Sequence, residues 1–199
     1  MRIFDRTDRS LIGVWWWTVD HKLLGMLILL IFGGIMLLMS AGPPVAIKLK
    51  LNQDYFLNKQ LIYIGISIPT MLIISFLETT QIRRLAMFGF LLCVFGMLYA
   101  NAYGEVTKGA TRWIQILGLS IQPSEFIKPF FAVFNAWLLS LWIKEKSFPG
   151  WFYSILLMVL TIAILILQPD IGMSFIIAST WIFQLFISGI SLFLISIIS

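Results

Sequence analysis

Residues 23–41 read LLGMLILLIFGGIMLLMSA, a run of 19 positions without a charge. A helix rises 1.5 Å per residue, so about 19 residues reach most of the way across ~30 Å of hydrocarbon. Five more apolar runs follow, at 61–77, 85–103, 126–143, 151–167 and 171–190, of which 126–143 contains Lys128. A last apolar stretch, 191–198, begins a seventh before Ser199. The runs are continuously apolar and do not alternate, which argues against a β-barrel. Backbone polar groups in lipid must then be satisfied within each segment, as only a helix does. The expected fold is all-α, a polytopic transmembrane helix bundle with six full spans plus the start of a seventh. Residues 1–22 are expected to form a cytoplasmic or interfacial N-terminal segment, and residues 23–199 the transmembrane domain.

Composition agrees. Of the 199 residues, 60% are apolar and 12% charged, about half the charge of a soluble domain. One compact soluble core does not hide that much apolar surface. The net charge of +5 does not point to nucleic acid, because the basic residues sit between apolar runs, where they set topology and meet phospholipid. With the N-terminus in the cytoplasm, the inner segments carry Arg2, Arg6, Arg9, Lys22, Arg83, Arg84, Lys144 and Lys146. The outer ones carry fewer: Lys48, Lys50, Lys59, Lys108 and Arg112. The excess favours that orientation. The first run is longer than a signal peptide's apolar region and lacks a good cleavage site after Met39-Ser40-Ala41, so it is expected to stay as a span. Trp15, Trp16 and Trp17, followed by Asp20, His21 and Lys22, suit a membrane interface. Cys93 is a lone cysteine in an apolar run, which excludes an internal disulfide. His21 is interfacial rather than a metal ligand.

Three polar clusters interrupt the apolar pattern. The first is Lys108-Gly-Ala-Thr-Arg112-Trp113-Ile114. Arg112 offers a planar fork suited to phosphate oxygens, and Trp113 fits an interface. A headgroup-snorkelling arginine beside a belt tryptophan and a lipid pyrophosphate site are equally open readings. The second is Gln122-Pro-Ser-Glu125-Phe-Ile-Lys128-Pro129, at the start of the fourth span. Pro123 suits a first helical turn. Glu125 and Lys128 are three residues apart on one face, and Asn135 falls about 20° from Lys128. A charge at mid-bilayer costs roughly 2.5–3.5 kcal/mol or more, so this stripe should face a polar cavity or be tied up as helix glue. The third is Gln168-Pro169-Asp170-Ile-Gly172, a tight turn. Asp170 is a natural helix N-cap, and Pro169 biases Gln168 towards extended geometry. Should the turn dip into the membrane, Gln168 and Asp170 would share an outer vestibule with Glu125.

In this order and on these elements, the three clusters resemble the SEDS family of FtsW and RodA. The leader Thr7-Asp-Arg-Ser-Leu and Trp15-Trp-Trp-Thr-Val-Asp is similar to its alphaproteobacterial FtsW branch. The resemblance covers essentially the whole chain. It implies a protein of about ten spans in the bacterial inner (cytoplasmic) membrane, acting at the division septum. The implied activity is peptidoglycan glycosyltransfer, which polymerises lipid II (an undecaprenyl-pyrophosphate-linked disaccharide peptide) into glycan strands. The implied partners are a class B penicillin-binding protein, other divisome proteins and membrane lipid, with no nucleic acid. Arg112, Trp113, Glu125, Lys128, Gln168 and Asp170 would be substrate-binding. No catalytic residue is identified, since the family's essential aspartate would lie beyond Ser199. By that resemblance the domain is truncated, as in a fragment or a split gene product. No cofactor is identified, and a divalent cation stays open. A lipid II flippase and a non-catalytic divisome scaffold are the alternatives.

Overall fold

The computed structural model describes residues 10–107, 110–116, 119–145 and 147–189. The chain falls into two compact units, Met1–Leu77 and Glu78–Ser199.

In the first unit, α1 (Leu11–Thr18) precedes two long helices, α2 (His21–Lys48) and α3 (Tyr55–Ser75). Ser10 Oγ accepts from Gly13 N at 3.1 Å and caps α1. Asp20 Oδ1 accepts from the backbone N–H groups of Lys22 and Leu23 at 2.9 and 3.2 Å, which starts α2. His21 and Lys22 thus form the first turn of α2. The first span also runs past Ala41 to Lys48, through Pro43 and Pro44. Packing explains the extension: Gly42 and Ala46 are buried, and a Cβ at Gly42 would sit in ordinary contact with Phe56 Cβ at 3.8 Å. Elsewhere α2 turns its apolar side chains outward, as lipid-facing helices do; Leu29, Leu30 and Leu37 are 70, 72 and 73% exposed.

The second unit is built from α4 (Thr79–Tyr103), α5 (Pro123–Lys144), α6 (Gly150–Leu167) and α7 (Ile171–Ile187). Glu78 and Gln81 form a capping box at the start of α4, satisfying two otherwise orphaned N–H groups. Its core centres on Phe90 and Met97 of α4, Ile127 and Phe131 of α5, Leu165 of α6 and Ile177 of α7, all 0–5% exposed. Gly89 permits the close approach of α4 and α5, since a Cβ there would lie 2.5 Å from Phe130 Cζ. Polar bonds tie the other helices, as expected where lipid gives little hydrophobic drive between them. Trp181 Nε1 donates to Ser154 Oγ at 2.9 Å between α7 and α6. Asn135 Nδ2 donates to Gln184 Oε1 at 2.6 Å, and Gln184 Nε2 donates to Ala132 O at 2.7 Å.

Two features depart from expectation. Between α4 and α5 the chain forms a three-stranded antiparallel sheet, β1 (Glu105–Thr107), β2 (Ala110–Ile116) and β3 (Leu119–Ile121), in the order β1-β2-β3. Trp113 faces Glu105 in the first ladder, and Ile114 faces Ile121 in the second. Thr111, Ile114 and Ile116 supply β-branched residues that favour a strand, within a stretch too polar to read as a span. The second feature is span length. Five helices are long and apolar enough to cross a membrane by length and composition, while α7 has 17 residues and ends at Ile187 rather than 190. The architecture remains a multi-pass helical membrane bundle carrying one small open sheet. The apolar stretch 191–198 lies outside the described residues, as do Lys108 and Gly109.

Candidate functional site

The polar clusters meet at one end of the second unit. That end holds the last turn of α4, the sheet, the first turn of α5 and the turn between α6 and α7. Connectivity dictates this, because β3 runs directly into α5 and β2 lies against α4 and α5.

Arg112, on β2, reaches across to the α6–α7 turn. Its Nε donates to Gln168 O at 2.9 Å, Nη2 donates to Pro169 O, and Nη1 lies 3.6 Å from Asp170 Oδ2. The guanidinium fork matches two adjacent carbonyls and a carboxylate, a geometry that a lysine cannot copy. Asp170 is 7% exposed and divides its oxygens. Oδ1 accepts from Met173 N at 3.3 Å and caps α7, as the sequence implied. Oδ2 is buried and has no hydrogen-bond donor among the described residues, so the arginine is the charge that compensates it. The structure therefore gives Arg112 a protein partner that neither sequence reading of it contained.

Gln168 also takes a different part. Its backbone is not extended, with φ −94° and ψ 19°, because this residue closes α6 and its carbonyl turns to Arg112. Its side chain is 1% exposed. Nε2 donates to Met97 O of α4 at 2.8 Å. The amide nitrogen is thus engaged inside the protein, while Oε1 is buried with no hydrogen-bond partner among the described residues. Trp113, next to Arg112, is 38% exposed.

Glu125 and Lys128 sit on the first turns of α5, after Pro123 at the first helical position. Lys128 Nζ donates to Glu125 Oε2 at 2.7 Å. Their side chains are 49% (Glu125) and 28% (Lys128) exposed, and no other ion pair or hydrogen bond holds either side chain among the described residues. Asn135 shares their stripe but not their surroundings. It is fully buried two turns deeper and bonded to Gln184. The predicted stripe thus divides into an accessible ion pair near the helix start and buried amide glue below. Among the described residues, no three His, Cys, Asp or Glu side chains cluster as a metal site.

The arrangement combines an accessible ammonium and carboxylate with the N-terminus of α5, whose dipole favours an anion. The sheet and the α6–α7 turn lie at the same end, joined by Arg112.

A "Probable peptidoglycan glycosyltransferase FtsW" from Caulobacter vibrioides is 38% identical over 170 residues, covering 85% of this chain and 44% of that protein. The protein of the same name from Trichlorobacter lovleyi is 32% identical over 176 residues, covering 85% and 46%. The chain thus spans about half the length of the curated relatives it matches. Among solved structures, a chain of a peptidoglycan synthase complex, studied for how it coordinates polymerization and crosslinking, superposes with a TM-score of 0.69. The match has 22% identity and covers 87% of this chain and 49% of that one, a likeness of fold. Residues 20–199 match the FtsW/RodA/SpoVE family of cell cycle proteins. By that match, over nine-tenths of its length, the chain belongs to the FtsW/RodA/SpoVE family.

Proposed function

We propose that this chain forms the substrate-positioning half of a peptidoglycan glycosyltransferase that polymerises lipid II at the outer face of the bacterial cytoplasmic membrane. The observation that carries the reading is the Glu125–Lys128 pair. It is an ion pair on a membrane helix with no tertiary partner among the described residues, at the same end as a clasp that joins two elements. A charge pair is costly in a membrane protein and marks a functional position. The names of the relatives supply the reaction class.

Glycan polymerisation moves a glycosyl group from its pyrophosphate carrier to an acceptor hydroxyl. The anomeric carbon–oxygen bond to the pyrophosphate breaks as the new glycosidic bond forms, and the acceptor proton passes to a base. Negative charge grows on the departing pyrophosphate, so cations and helix N-termini placed there lower the barrier. Lys128 supplies the cation, the N-terminus of α5 supplies the dipole, and Glu125 holds the ammonium in place. Trp113 lies at the rim, where its ring suits the carrier's passage from lipid to water. Arg112, Gln168 and Asp170 fix the scaffold around this centre. Neither Glu125 nor Asp170 is assigned as the base. Septal action, a class B penicillin-binding protein as partner and a cytoplasmic N-terminus belong to the same proposal.

The test is polymerisation of purified lipid II by the complete protein that contains this chain, read as glycan strands on a gel. Lys128→Met should lose about 10²-fold or more in rate if the ammonium stabilises developing charge. Movement of lipid II across liposomes without strand formation would replace the transferase with a flippase.

A further inference from the structure

At the end of the second unit away from the polar clusters, a groove of about 340 Å³ lies between α4, α5 and α6. Met87 of α4, Phe134 and Trp137 of α5 and Leu160 of α6 line it. Phe148 and Tyr153, stacked at 5.6 Å, line its mouth beside the start of α6. All three helices are long and apolar enough to cross a membrane, so the groove opens to acyl chains rather than to water.

A cation stands over this groove. Arg83 precedes Met87 by one helical turn, so the two share a face of α4, about 40° apart. The packing of Gly89 on Phe130 and of Gly96 on Pro123 sets α4 antiparallel to α5. That register brings Arg83 about level with Ala136, next to Trp137 in the groove wall. Arg83 is also only four residues from Thr79, the first residue of α4, about 6 Å along the axis. Its stem therefore lies at the hydrocarbon edge and its guanidinium reaches headgroup level.

The guanidinium has no counter-charge. Arg83 is partly buried, yet neither ion pair among the described residues includes it. α4 carries no acid along its length, and Arg84 is the next residue. An unpaired arginine at phosphate level, above an apolar groove on its own face, complements a lipid phosphate. The neighbouring Arg84 favours a headgroup of net negative charge, because a zwitterion would bring its ammonium beside two cations.

We propose that the groove and Arg83 together bind one anionic phospholipid, with an acyl chain along Met87, Phe134 and Leu160 and the phosphate on the Arg83 guanidinium.

The experiment is native mass spectrometry of the whole chain released from bilayers of equal phosphatidylglycerol and phosphatidylethanolamine. One phosphatidylglycerol should be retained in preference. Arg83→Gln should reduce that preference about fivefold, the scale of one basic residue at an anionic surface. Arg84→Gln removes the same charge 100° further round the helix and should reduce it less. Leu160→Trp fills the groove and should remove the retained lipid whatever its headgroup, with circular dichroism confirming that each variant keeps its helix content. Equal retention of the two lipids, or a preference unchanged in Arg83→Gln, overturns the proposal. So does an equal loss in Arg84→Gln, which would mean diffuse surface charge, or retention unchanged in a folded Leu160→Trp.

Discussion

Among the described residues, the second unit carries two ion pairs at one end, and they differ in what they join. Glu125 and Lys128 are three residues apart on one helix, and their side chains are 49 and 28% exposed. Arg112 and Asp170 are 58 positions apart, on a strand and a helix cap, with side chains 30 and 10% exposed. The first pair needs only α5 to exist, so it adds little to the fold and leaves both groups reachable. The second joins the sheet to the α6–α7 turn, and its aspartate also starts α7. A pair without tertiary partners among the described residues suits binding and chemistry, whereas a pair that joins two elements through a buried aspartate and two backbone acceptors suits a clasp.

Substitutions should sort along that line, and the largest effect falls on the clasp. Asp170→Ala removes the α7 cap and leaves Arg112 facing a buried site without its counter-charge. It should cost roughly 3 kcal/mol or more, seen as a lower unfolding midpoint in detergent. Arg112→Lys keeps the charge but loses the fork that spans two carbonyls. A loss of about 1–2 kcal/mol in the same assay is expected. Gln168→Leu removes the bond to Met97 O and leaves that carbonyl dependent on its helix alone; about 1 kcal/mol is expected. Arg112→Lys and Gln168→Leu should lower activity only as far as they lower the folded fraction. The smallest stability effect belongs to Glu125→Gln, below about 0.5 kcal/mol for an exposed pair, although its effect on lipid II polymerisation should be the greatest of the four. Equal destabilisation by Glu125→Gln and Asp170→Ala would erase the distinction.

The sequence made the helices legible because lipid imposes a simple rule, about 20 apolar residues per crossing, that the runs satisfy. It also made the Asp170 cap and the Glu125–Lys128 spacing legible, since both depend on neighbours within one turn. The sheet escaped, because β1 and β3 are three residues each, too short to show a hydrophobic period. The role of Gln168 escaped for another reason. Its partner is a backbone carbonyl 71 positions earlier, at Met97, and main-chain acceptors leave no mark in a sequence. The same holds for Arg112, two of whose three contacts are carbonyls. Asn135 was rightly placed on the stripe with Lys128, but helical angle says nothing of depth. Two turns separate a reachable ammonium from an amide sealed against Gln184.

The central claim is that Glu125 serves the reaction rather than the fold. The most direct measurement takes Glu125→Gln in the complete protein and records both its unfolding midpoint and its yield of glycan strands from lipid II. The account predicts a midpoint close to that of the unmodified protein and a strand yield reduced to background. A lowered midpoint with a normal strand yield per folded molecule would contradict it.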